Sequence, residues 1–214
     1  MLKTKYPYTT NKISQKIGLF FSKFPLTPNE WTVLSLFPAV LGFYALVYRE
    51  MALGLFFFIV AGFFDAIDGA VARVTKKFTS LGGYLDGITD RLVEMFLLIG
   101  LMFFGLPDLV IFNFITPVYV WIALLLFVGS ALVSYSRAYA YQKGVIKDEK
   151  ILKKMPGVLE RTERLWLIGG GMILFHIDPV YLTYVIFVAF FLSVITFLER
   201  VWFVVKVGSK KTKS

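Results

Sequence analysis

The sequence predicts an all-α integral membrane protein: six transmembrane helices preceded by an N-terminal amphipathic interfacial helix. Three observations carry that expectation. Of the 214 residues, 57% are hydrophobic and 17% are charged, against about 25% charged in ordinary soluble domains. Apolar runs of the ~20 residues that a bilayer demands follow one another with short connections. The 23 Lys and Arg, which exceed the 14 Asp and Glu by 9, gather on alternate connections. A mean hydropathy of +0.72 excludes a soluble globular or a disordered chain. The absence of Cys removes disulfides, thiolate metal sites and thiol nucleophiles. A basic balance suits either nucleic acid or an anionic membrane surface, and the hydrophobicity selects the lipid bilayer, with no nucleic acid partner.

Along residues 1–24, Ile13, Ile17, Phe20, Phe21 and Phe24 recur at helical spacing between Lys12, Lys16 and Lys23, the pattern of an amphipathic juxtamembrane helix rather than a cleavable leader. Thr27-Pro28-Asn29-Glu30 then combines a capping-box pattern with Pro at the first helical position, so a helix starts there with Thr27 as its N-cap. Apolar runs place six spans at roughly 29–48, 51–73, 82–106, 117–141, 158–177 and 179–200. A single domain over 25–205 and a basic tail over 206–214 complete the expected organisation. Lys and Arg are concentrated before the first span, after the second, after the fourth and at the end, so the positive-inside rule puts both termini in the cytoplasm.

Three of these runs reach bilayer length only by taking charges in with them. Met51 to Phe64, Met95 to Leu106 and Leu165 to Ile177 are each too short alone. The second span must admit Asp65 and Asp68, the third Asp86, Asp90, Arg91 and Glu94, and the fifth Arg161 and Arg164. At about 1.5 Å per residue from the outer helix ends, Asp65, Asp68, Asp86, Asp90, Arg161 and Arg164 fall about 20–30 Å deep, in one slab near the cytoplasmic edge. Asp65/Asp68 and Asp86/Asp90, three and four apart, each share a helix face. Four carboxylates so placed would cost on the order of 10 kcal/mol on insertion scales without a compensating positive charge. One reading has them snorkelling to water or pairing with Arg73 and Arg91. The other has them hold a hard divalent ion, Mg²⁺ or Mn²⁺ rather than Zn²⁺, through oxygen alone.

Residues 65–90 read DAIDGAVARVTKKFTSLGGYLDGITD and fit D-x2-D-G-x2-A-R-x8-G-x3-D-x3-D at Asp65, Asp68, Gly69, Ala72, Arg73, Gly82, Asp86 and Asp90. This resembles the signature of the CDP-alcohol phosphotransferases. The resemblance implies transfer of a substituted phosphoryl group from a CDP-lipid, CDP-diacylglycerol or CDP-archaeol, to the hydroxyl of a second alcohol, with release of CMP in phospholipid biosynthesis. It implies two Mg²⁺ or Mn²⁺ ions per active site, held by Asp65, Asp68 and Asp86 and bordered by Asp90, which serves as general base. It also implies a homodimer. Asp68 and Arg73 would contact the CDP moiety, and Gly69 and Gly82 would let a nucleotide or a neighbouring helix approach the backbone. Asn29 and Thr79, with Ser80, either line the cytidine pocket or cap helices.

For the acceptor, SYSRAYA (134–140) and GVLERTERL (157–165) resemble the branch that uses inositol phosphate, in which Arg137, Arg161 and Arg164 would hold the acceptor phosphate. Relatives often carry a second basic residue where this chain has Tyr139. Glycerol phosphate, serine and inositol are the other acceptors, and pairing of Arg161 and Arg164 with Glu160 and Glu163 is the structural alternative. Outside the family, a divalent-cation transporter would also place acidic residues in spans. However, Met51 to Phe64 and Met95 to Leu106 contain no charge to continue an ion path. An intramembrane aspartyl protease would need only a dyad, and LGGYLDG lacks its Gly-x-Gly-Asp element.

Overall fold

The computed structural model describes residues 7–111 and 114–211. The beginning of the expected N-terminal helix, with Lys3 and Lys5, and the end of the basic tail lie outside the described residues. Eight helices are described: α1 (Pro7–Phe21), α2 (Pro28–Val47), α3 (Met51–Thr75), α4 (Ser80–Phe104), α5 (Val118–Gln142), α6 (Glu149–Lys153), α7 (Arg161–Leu174) and α8 (Pro179–Lys211). A two-stranded hairpin, β1 (Leu109–Ile111) and β2 (Phe114–Thr116), precedes α5. The chain divides into two compact units, one ending at Gly100 and the other beginning at Leu101.

The expectation of six spans is overturned. Among the described residues four helices are long and apolar enough to cross a membrane: Pro28–Val47, Met51–Thr75, Val118–Gln142 and Pro179–Ser209. The chain is thus an integral membrane protein with fewer spans than the sequence predicts. The reason lies in the charges that were admitted to lengthen the third and fifth runs. α4 has 25 residues, yet Asp86, Asp90, Arg91 and Glu94 make its first half polar. α7 starts at Arg161 and has 14 residues, about 21 Å of helix against ~30 Å of hydrocarbon.

The expected interfacial helix also needs correction, because α1 is docked on protein. Ile17 and Phe21 pack on Trp31, Ile67 and Val71. A Cβ on Gly18 would lie 2.5 Å from the Ala70 carbonyl oxygen, so α1 and α3 meet backbone to backbone. Of the apolar stripe read as lipid-facing, Ile17 and Phe21 are taken up by this packing, while Ile13, Phe20 and Phe24 remain exposed.

In the first unit, the capping box forms at the start of α2: the Thr27 and Glu30 side chains each accept a hydrogen bond from the other's backbone N–H. α2 turns back through Arg49, at φ 64°, so that α3 runs alongside it. Ala39, Ala61 and Val93, buried from α2, α3 and α4, form a core to which Leu36, Phe58 and Phe96 are added. α3 ends at Lys76, which adopts the left-handed conformation (φ 55°) and donates its N–H to the Ala72 carbonyl. That stop reverses the chain into α4 and lets the motif fold back on itself.

In the second unit, the hairpin pairs Leu109 with Thr116 and Ile111 with Phe114, an element the sequence reading left as a connection. Asp108 Oδ1 accepts from the Val118 N–H at 2.9 Å and closes the start of α5. Within α5, Leu126–Leu132 is wound as π-helix. Trp121 packs its ring against Phe187, Phe190 and Phe191 of α8. Ala140, Ile146 and Met155 form a second core with Phe203, Val204 and Val207.

Candidate active site

The metal-site candidates come from the α3–α4 hairpin of the first unit. Asp65 and Asp68 sit one turn apart on α3, and Asp86 projects from α4. One carboxylate oxygen from each of the three lies within 4.8 Å of the others, roughly twice a hard cation's oxygen distance of 2.0–2.6 Å. The donor set is all oxygen and carries three formal negative charges, which fits a divalent hard cation and suits no soft one. Asp68 is buried, Asp65 half-buried and Asp86 exposed, so the cluster opens on one side. Asp90 is not part of this close group. It lies one turn beyond Asp86 with its side chain 17% exposed, and its Oδ2 is 3.9 Å from Arg91 Nη1.

Thr32, which the sequence reading did not single out, donates its hydroxyl to Asp68 Oδ2. The same Oγ1 lies 3.1 Å from the Pro28 carbonyl oxygen. Thr32 is buried and fixes the rotamer of the most buried carboxylate of the set. Its place one turn after Asn29 is a weak signal, because the sequence does not say which face of α2 meets the motif.

The nucleotide candidates divide into two groups within the same unit. Around Gly82, a Cβ would fall 2.7 Å from Asn29 Oδ1 and 3.1 Å from Thr79 Oγ1, so only a bare backbone allows Asn29 and Thr79 to converge there. Thr79 Oγ1 accepts from the Gly82 N–H at 2.9 Å, which makes it a cap of α4 as well as a neighbour of Asn29. Around Gly69, a Cβ would meet Arg73 Nη1 at 3.3 Å, and the guanidinium therefore lies over the bare backbone beside Asp68. Arg73 is exposed and also reaches Ser14 of α1.

The arginine candidates belong to the second unit. Arg164 is 1% exposed and passes Gly129, whose Cβ would be 3.4 Å from Arg164 Cζ. Arg137 Nη2 donates to the Leu152 carbonyl at 2.9 Å, and Arg161 is half-buried. Arg200, absent from the sequence reading, is also buried and feels the charges of Glu160, Arg137 and Arg164. Its guanidinium donates to the Val133 carbonyl at 2.8 Å, the Pro156 carbonyl at 3.2 Å and Glu160 Oε1 at 3.1 Å. Glu160 thus gives its carboxylate to Arg200, while Glu163 Oε2 accepts the Glu160 N–H at 3.1 Å. The Glu163 contact belongs to the capping box of α7, and the charges of Arg137 and Arg164 acting on Arg200 mark one basic region. His176 is exposed at the other end of α7.

The sequence profile of the CDP-alcohol phosphatidyltransferase family matches residues 25–205, and the chain belongs to that family of enzymes. Among curated relatives, the archaetidylinositol phosphate synthase of Pyrococcus horikoshii is 30% identical over 190 residues, covering 88% of each chain. The phosphatidylinositol phosphate synthase of Mycolicibacterium smegmatis is 32% identical over 198 residues, covering 89% of this chain and 82% of that one. The fold is shared with the phosphatidylinositol phosphate synthase of Mycobacterium tuberculosis. Its crystal structure with CDP-DAG bound superposes with a TM-score of 0.74 at 24% identity, covering 90% of this chain and 94% of that one. The same protein in complex with manganese and citrate also gives a TM-score of 0.74 at 24% identity, covering 89% of this chain and 88% of that one.

Proposed function

We propose that this enzyme transfers a phosphatidyl or archaetidyl group from a CDP-lipid to the hydroxyl of inositol phosphate and releases CMP. The observation that carries the chemistry is the convergence of one oxygen each from Asp65, Asp68 and Asp86 within 4.8 Å, on a hairpin whose Gly69 and Gly82 let Arg73, Asn29 and Thr79 close on the backbone. The acceptor reading rests on the named activities of the two relatives, on the basic region of Arg137, Arg164 and Arg200, and on Arg161 one turn before Arg164.

In the reaction the acceptor oxygen forms a bond to the lipid-bearing phosphorus while the bond from that phosphorus to the CMP oxygen breaks. Asp65, Asp68 and Asp86 would hold the two Mg²⁺ or Mn²⁺ ions of the proposed site. When bound, these ions offset the charge of the diphosphate and of the departing CMP. Thr32 holds Asp68 ready for that role. Asp90, one turn along α4, takes the hydroxyl proton of the acceptor. Asp68, Gly69 and Arg73, together with Asn29, Thr79 and Gly82, bind the CDP moiety. Arg137, Arg161 and Arg164 bind the acceptor phosphate, for which the planar guanidinium is suited. The cytoplasmic placement of both termini is supported by Lys12, Lys16 and Lys23 before α2 and Lys206 near the end of α8, that of the active site by Arg73, Lys76 and Lys77 at the end of α3, and the homodimeric state by the family resemblance.

The test is a CMP-release assay of the purified protein with CDP-diacylglycerol or CDP-archaeol against inositol phosphate, inositol, glycerol phosphate and serine, with Mg²⁺ or Mn²⁺ and with EDTA. Turnover with inositol phosphate that EDTA abolishes is expected. Divalent-cation flux into proteoliposomes without CMP formation would replace this reading with a transporter. For the acceptor site, Arg161→Ala is expected to raise the KM for inositol phosphate about tenfold or more, the loss of one charge-assisted contact. The donor KM should hardly change, and equal effects on both substrates would remove the acceptor assignment.

A further inference from the structure

The first unit contains a cavity of about 420 Å³ lined by Ser14, Gln15, Leu19, Arg73 and Val74, within the range of small-molecule sites. Ser14, Gln15 and Leu19 come from α1, which precedes the 25–205 region matched by the family profile. Ser14 Oγ accepts two hydrogen bonds from one guanidinium, from Arg73 Nη2 at 2.7 Å and Arg73 Nε at 3.2 Å. This contact is held in register by the backbone packing one turn away. Gly18 abuts Ala70. Ser14 lies four residues before Gly18 and Arg73 three residues after Ala70, so the two helices run in opposite senses.

Both lone pairs of Ser14 Oγ are engaged, and among the described residues no acceptor takes its hydroxyl proton. One edge of the Arg73 guanidinium, Nε and Nη2, is fixed by Ser14. Nη1 lies over the bare backbone of Gly69, beside Asp68. A serine hydroxyl and an oriented guanidinium on the same wall make a recognition pair for phosphate oxygens.

We infer that the α1–α3 cavity is part of the donor site and that Ser14 is a positioning residue, which aligns Arg73 on the diphosphate of the CDP-lipid and donates its own hydroxyl to a phosphate oxygen. This rests on the proposed reading of the donor. It adds a residue outside the signature, on a helix that the sequence alone suggested was a membrane rest. Gly18 is the spacer that lets the helix come close enough for Ser14 to act.

The experiment measures equilibrium binding of CDP, in Mg²⁺, to the full-length protein and to Ser14→Ala and Ser14→Thr, alongside KM for the CDP-lipid and for inositol phosphate. Ser14→Ala is expected to weaken CDP binding about tenfold, the worth of a hydrogen bond to a charged group. The donor KM should rise by a similar factor while the acceptor KM is unchanged. Ser14→Thr, which keeps the hydroxyl, is expected to restore both values. CDP affinity within twofold of the parent in Ser14→Ala, or no CDP binding by the parent, overturns the inference. If Ser14→Ala weakens CDP binding but the parent releases no CMP from any CDP-lipid, the inference stands and the proposed reaction falls. Unchanged donor constants in an active Ser14→Ala enzyme overturn the inference and leave the proposed reaction standing.

Discussion

Asp68→Asn is expected to lower CMP release on the order of a thousandfold, with a parallel loss of divalent-cation affinity. The substitution is nearly isosteric, and the remaining amide oxygen can still accept the Thr32 hydroxyl proton that Asp68 accepts now. Packing at the α2–α3 contact is therefore retained, and what disappears is one negative charge from a set of three oxygens within 4.8 Å. Asp65 and Asp86 alone would hold a divalent ion far more weakly, and the repulsion between the donor diphosphate and the remaining carboxylates would be left unopposed. Mg²⁺ or Mn²⁺ titration together with CMP release checks this, and a variant within tenfold of the parent in both would dismantle the metal-site assignment.

Asp90→Asn is expected to reduce turnover by about a hundredfold to ten-thousandfold, the usual worth of a general base, while leaving CDP affinity close to that of the parent. The separation of effects follows from position. Asp90 stands one turn beyond Asp86 on α4 and outside the close oxygen group, so an amide there leaves the three ligands intact but cannot accept the proton of the attacking hydroxyl. CMP release paired with CDP binding tests it, and retained turnover would exclude Asp90 as the base.

Much of the candidate site was legible in the sequence because its logic is local. The three- and four-residue spacings of Asp65/Asp68 and Asp86/Asp90 put carboxylates on single helix faces, and the short link through Lys76 leaves the two helices little choice but to face one another. The same locality made the capping box at Thr27 and Glu30 readable. Thr32 and Ser14 were not readable, since their roles depend on which face of α2 or α1 meets α3, a fact set by Gly18 and by the aromatic packing of Phe21 on Trp31. Arg200 was missed because a lone arginine late in an apolar run reads as a helix-end cation. Its partners, Val133, Pro156 and Glu160, are distant in sequence. The number of spans was misread because charged helix ends were counted as membrane length. That count located the motif helices correctly but overstated how many elements meet lipid along their whole course.

The π-wound stretch of α5 makes that helix tolerant where α8 is not. A π turn takes in one residue more than an α turn, so loss of a single residue between Leu126 and Leu132 can be absorbed by rewinding, leaving Arg137 at its original azimuth. α8 has no such slack over Pro179–Lys211. A one-residue deletion upstream of Arg200 would swing its guanidinium by about 100°, away from the two carbonyls and the carboxylate that seat it. Natural length variation among such enzymes should therefore accumulate in the fifth helix and be purged from the eighth.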